Sequence, residues 1–120
     1  FFWGGAQVIT QRTPPLLPLD KQPQEYDLLF IGTPVWAWTY TPPLRTFFST
    51  TDLQGKQIAL FCCYAGSKRS VFQDMKDALP GNSFVGEIDF IDPTGQETAE
   101  SIQKASEWAT GIVTELGKQL

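Results

Sequence analysis

At 120 residues the chain is the size of one compact domain with a single core. Its 42% hydrophobic and 13% aromatic content supplies material for that core and excludes a disordered chain. Nine Lys and Arg stand singly against thirteen Asp and Glu, so no basic stripe could follow a nucleic-acid backbone, and the absence of His removes Ser-His and Cys-His pairs and most zinc sites.

No apolar run approaches the roughly 18 to 20 residues that span a bilayer, so no membrane association is expected. Cys62 and Cys63 are adjacent and cannot staple distant segments. That pattern predicts a reducing, cytoplasmic setting. The chain begins at Phe1 and its one Met is Met75, so position 1 is read as lying inside a longer reading frame.

In chain order, Ala6 to Thr10 follows Gly4 and Gly5 and reads as a short strand. Thr13 to Gln24 holds Pro14, Pro15, Pro18 and Pro23 and predicts an irregular crossing. Leu28 to Ile31 is an unbroken apolar run, as expected of a strand covered on both faces. Thr41 can cap a short helix with Pro42 and Pro43 in its first turn and Leu44, Phe47 and Phe48 on one face, ending near Ser49. Ile58 to Cys63 is a second buried strand, followed by a helix whose Val71, Phe72, Met75, Ala78 and Leu79 repeat at helical spacing and stop at Pro80 and Gly81. Phe84 to Ile91 alternates, with Phe84, Gly86, Ile88 and Phe90 on one side and Glu87 and Asp89 on the other, and predicts an edge strand. A last helix starts at Thr94 with Glu97 completing a capping box, and carries Ala99, Ile102, Ala105, Ala109, Ile112, Val113 and Leu116 as its apolar stripe.

This order predicts a single α/β domain over residues 1–120, built as a three-layer open parallel sheet with right-handed crossovers. Ligands of such sheets sit beyond the carboxyl ends of the strands, which directs attention to the segments after Ile31 and Cys63. The first reads Thr33-Pro34-Val35-Trp36-Ala37-Trp38-Thr39-Tyr40; its aromatics either stack a planar ligand or cap the core. The second, Cys63-Tyr64-Ala65-Gly66-Ser67, adds an aromatic and a glycine that permits close approach to the main chain.

Tyr26 to Trp36, with Gly32-Thr33-Pro34-Val35-Trp36 at its end, then Pro42-Pro43-Leu44-Arg45, then Gly55-Lys56 before Ile58 to Cys62, resemble the flavodoxin family. The resemblance runs from about Tyr26 to Ile91 and is sharpest at Thr33 to Trp36. It implies a sheet of order 2-1-3-4-5 and FMN held between the loops Thr33 to Tyr40 and Cys63 to Ser67. Trp36 is the first choice to stack the ring, with Tyr64 on the second loop, and Thr33, Val35, Ala65 and Gly66 would offer main-chain contacts. The implied activity is electron transfer or reduction of a small acceptor by an FMN-dependent oxidoreductase, with a redox protein as a further partner.

The family's phosphate loop, a Ser/Thr- and Gly-rich turn after its first strand, has no counterpart in these residues. The chain is therefore read as lacking the first strand, that loop and most of the first helix, with FMN binding weakened accordingly. The alternative is a flavin-free interaction module or a fragment of a flavodoxin. An uncovered strand edge would favour a homodimer, or Phe1 to Thr10 moving against Leu28 to Ile31. Cys62 and Cys63 are read as buried thiols on opposite strand faces, and Lys68 and Arg69 as the solvated start of a helix.

Overall fold

The computed structural model describes residues 14–91 and 98–118. The expected strand Ala6 to Thr10 and the capping pair Thr94 and Glu97 lie outside the described residues. Within them the chain forms β1 (Leu28–Pro34), α1 (Pro42–Thr50), β2 (Gln57–Tyr64), α2 (Val71–Ala78), β3 (Ser83–Ile91) and α3 (Thr98–Gly117). The proline-rich approach to β1 is irregular from Pro14 and tightens to one 3-10 turn at Pro23–Glu25.

All three strands are parallel, in the order β1-β2-β3. Register pairs Ile31 with Leu60 and Thr33 with Cys62, then Phe61 with Ile88 and Cys63 with Phe90. This is the expected three-layer arrangement. One face carries Ile31, Ile58, Leu60 and Cys62 against Val71, Phe72 and Met75 of α2, with Leu44, Phe47 and Phe48 of α1 packed onto the same cluster. Ile58, Leu60, Val71 and Met75 are fully buried, each contributing roughly 1.5–3 kcal/mol of transfer free energy.

The other face meets α3 through Trp108, whose ring lies edge-on to Phe30 and Phe61 with centroids 5.6 Å and 6.4 Å away. Glycine is required at Gly32 because a Cβ there would enter the Phe61 ring, and at Gly86 a Cβ would press on the end of the Ile112 side chain and make it shift. Cover on this face is thin: none of the described α3 side chains is buried, and Ile102 and Val113 of the expected stripe are 65% and 54% exposed. Ala105, Ala109, Ile112 and Leu116 are the half-buried part of that stripe.

Two local expectations change. A bulge shifts the β2-β3 register between Ile58 and Ala59, so Ile58 pairs with Phe84 but Ala59 pairs with Gly86. The extra residue puts Phe84 on the α2 side, under the Lys76 ammonium and against the main core, while Gly86 and Phe90 face α3. Phe84 is thus not on the side of Gly86, Ile88 and Phe90. Thr41 does precede α1, but its hydroxyl makes no capping bond; Pro42 and Pro43 leave few amide hydrogens to cap, and the Thr41 carbonyl accepts from Leu44 and Arg45 instead.

Candidate functional site

The loops after β1 and β2 leave the sheet side by side because their strands are paired in parallel register. Beyond the last ladder pair, Val35 N–H donates to the Cys63 carbonyl at 3.0 Å, which ties the two loops at their roots and occupies the Val35 amide. Thr33 is buried; its hydroxyl donates to the Pro34 carbonyl at 2.7 Å and accepts from Thr41 N–H at 3.2 Å, closing the base of the first loop. Pro34, unable to donate, ends the strand.

Between these anchors the loop makes a two-residue hairpin turn. Trp36 N–H donates to the Thr39 carbonyl at 2.9 Å and Thr39 N–H returns to the Trp36 carbonyl at 3.1 Å, so Ala37 and Trp38 occupy the turn with φ of 46° and 71°. Both sit in the left-handed region, where Asn and Gly are usual and a residue with a Cβ costs about 1–2 kcal/mol. The turn projects Trp38 outward, 63% exposed, whereas Trp36 is half-buried. Tyr40, the third aromatic, turns inward: it is buried edge-on to Phe48, with the Arg45 guanidinium 5.4 Å from its ring centroid. Tyr40 and Thr33 therefore frame the loop, and Trp36 and Trp38 are its accessible aromatics.

On the second loop Ala65, Gly66 and Ser67 are exposed, and a Cβ on Gly66 would touch nothing within 4 Å. Ser67 Oγ accepts from Arg69 N–H at 3.2 Å, which turns the chain toward α2. Tyr64 is half-buried and its hydroxyl donates to Asp89 Oδ1 at 3.3 Å. Lys68 Nζ reaches the other oxygen of that carboxylate at 2.6 Å, so Lys68 is engaged with β3 and is not a free solvated charge. The Lys68 hydrogen bond, aided by its charge, holds the Asp89 carboxyl below its ordinary range, and the same bond raises Lys68; burial, with the Asp89 charge beside it, raises Tyr64.

Cys63 faces α3 in an apolar cleft of about 210 Å³ with Phe61, Phe90 and Ile102. Cys62 points to the main core, and both thiols are free. Burial pushes Cys62 up to about 11 and Cys63 upward as well, so neither is poised as a nucleophile or redox pair. A larger cleft, about 580 Å³, lies at the opposite ends of the strands, between Leu28, Gln57 and Ser83 and the last turns of α3. It holds none of the chemistry-bearing loop residues. Among the described residues no group of three or more acidic or Cys side chains could hold a metal. No helix among them is long and apolar enough to cross a membrane.

Sequence reasoning missed three polar residues. Asp89 and Asp74 pass for outward charges on a strand and a helix, and Thr39 for a loop hydroxyl; yet Asp89 holds Tyr64 and Lys68, and Asp74 Oδ2 accepts from Thr39 Oγ1 at 2.8 Å. The acidic alternation of β3 was the one available signal, and nothing marked Asp74.

Residues 10–105, which include the parallel sheet and its paired loops, match a family model described as Flavodoxin. The chain belongs to the flavodoxin family. Among solved structures, a flavoprotein from Lactobacillus acidophilus NCFM, crystallised in complex with FMN, matches with a TM-score of 0.58 and 21% identity. The match covers 86% of this chain and 63% of that one, so this flavodoxin-family chain spans less than two thirds of that protein's length. At that identity the likeness establishes the fold. A comparison with curated proteins finds no match.

Proposed function

We propose that this flavodoxin-family chain binds FMN through its isoalloxazine ring, between the loops Thr33 to Tyr40 and Cys63 to Ser67, and serves electron transfer or the reduction of a small acceptor. The observation that carries the reading is the turn at Ala37 and Trp38, where unfavourable backbone conformations are retained and a large aromatic is presented to solvent beside the second loop. A packing role would not need that exposure.

The residues fit a flat ring. Trp36 and Trp38 supply aromatic faces, Tyr64 lies on the neighbouring loop, and the open space at Gly66 lets a ligand edge reach main-chain amides. The flavin, when bound, would supply the redox chemistry; these side chains would orient the ring and shield it from water. Val35 N–H already serves Cys63, which leaves Ala65 and Gly66 as the main-chain donors for the ring. The FMN-bound flavoprotein that shares the fold supports the cofactor class.

Titration with FMN and riboflavin tests this. Stacking of the shared ring between the two loops predicts saturable quenching of flavin fluorescence with both ligands. Absence of any flavin response would leave the exposed Trp38 as an anchor for a protein partner, the flavin-free reading.

A further inference from the structure

The geometry points to Asp74 as a positioning residue that, through Thr39, holds the Trp38 turn in register with the second loop. This inference rests on the proposed ring site, since it concerns how that site is kept in shape. Thr39 closes the turn: its N–H and carbonyl make both main-chain bonds to Trp36. Those two bonds fix the hairpin internally, and the bonds at Val35 and Thr41 hold the loop at its roots. The Thr39 hydroxyl ties the turn itself to α2, donating to Asp74 Oδ2 at 2.8 Å across 35 positions of sequence.

The same carboxylate also faces Ser70, whose Oγ lies 3.3 Å from Oδ1. Ser70 ends the second loop and precedes α2. One carboxylate therefore links the end of the Trp38 turn to the end of the Tyr64 loop. Its own support is rigid: Asp74 N–H donates to the Ser70 carbonyl at 2.8 Å, and α2 is pinned to the core by buried Val71, Phe72 and Met75. None of the ion pairs among the described residues engages Asp74, so its acceptors serve two hydroxyls. A turn with two residues at positive φ and no glycine is prone to populate other conformations once unanchored. Ring affinity would then fall by the fraction of molecules that keep the competent shape.

Thr39→Val keeps the side-chain shape and removes the donor; Asp74→Ala removes the acceptor. Each is expected to weaken FMN by about tenfold, and the double variant by no more than Asp74→Ala alone, because both single changes delete the Thr39–Asp74 bond. Thr39→Ser should recover most of the loss relative to Thr39→Val. Gln73→Ala, which removes an exposed bond to Asp77 on the same helix, should leave the affinity at the parent value. Unchanged affinity in Thr39→Val and Asp74→Ala, or fully additive losses, would overturn the inference.

A readout without flavin separates this inference from the function it rests on. In protein labelled with 5-fluorotryptophan, the Trp38 resonance, assigned by Trp38→Phe, should be one sharp line in the parent and shift or broaden in Thr39→Val, with the melting temperature reporting folding. If FMN fails to bind the parent but the Trp38 line responds, the ring site is wrong and the positioning role stands. A Trp38 line indifferent to both substitutions overturns the positioning role itself.

Discussion

Trp38 carries the conflict between stability and use in its own backbone. It occupies a left-handed position of a two-residue turn that glycine fills without steric cost, and its indole packs little, being 63% exposed. Trp38→Gly should therefore stabilise the fold by about 1 kcal/mol, seen as a higher denaturation midpoint, while weakening FMN by roughly 1–3 kcal/mol through the lost ring face. Half-buried Trp36 gives a different pattern: Trp36→Ala should weaken FMN by a similar roughly 1–3 kcal/mol and also lower stability, because part of its surface is packed. A Trp38→Gly variant that unfolds more readily would show that the indole anchors the loop. The thiols behave oppositely to the indoles. With Cys62 pushed up to about 11 by burial and Cys63 raised by the same cause, little thiolate exists at neutral pH. Native protein should react slowly with a thiol-disulfide reagent and release both equivalents in denaturant; one fast-reacting thiol in the native state would contradict the packing described.

Which features were legible depended on how local their causes are. Leu28 to Ile31 and Ile58 to Cys63 announce themselves as unbroken apolar runs, since helices lie on both sides of the sheet even though Phe30 stays 38% exposed, and Pro80 with Gly81 stops α2 where the pattern says it should. The placing of the candidate site rests on topology alone, because parallel strands deliver their loops to one end. The bulge near Val85 was not legible: it arises from fitting Phe84 into the α2-side core while Gly86 makes room for Ile112, contacts with partners far along the chain. Nor was the Ala37-Trp38 turn, whose residues lack the Asn or Gly that normally signals it. The carboxylate of Asp89 is a tertiary feature of the same kind, and it makes the second loop sensitive to pH. Its folded value lies below the ordinary 3.8, so its contribution is present above that pH and is lost as pH falls below it. Lys68 lies above its ordinary 10.5, so its contribution is complete below that pH and fades above it. The pair is partly exposed, and its effect on stability is correspondingly modest. The difference in melting temperature between the parent and Asp89→Asn should be flat across the neutral range and close in acid below about pH 3.8. A difference that grows in acid would show that Lys68 is not the partner that matters.

At the scale of the whole molecule, the two faces of the sheet are unequally covered. One side holds a closed core around Leu60 and Met75; the other leaves Phe30 38% exposed at the outer strand, beside a helix whose Ile102 and Val113 are more than half exposed. Among the described residues β1 and β3 are the outer strands, and Phe30 lies on the open face beside β1. An outer strand beside exposed apolar surface templates strand addition wherever no other segment covers it, and the chain's charge of -4 is too small and too scattered to prevent that. The 120-residue chain is accordingly expected to self-associate reversibly, with sedimentation showing a mass that rises with concentration. Phe30→Lys places a charge on the open face next to the edge and should shift that equilibrium toward monomer; Ile91→Lys, a more exposed apolar position at the end of β3, should not. A monomer at every concentration, or equal effects of the two substitutions, would mean that β1 is not the associating edge. Self-association there would leave the Trp38 turn and the Tyr64 loop free, since they stand at the strand ends and not along the β1 edge, so ring binding and assembly should vary independently.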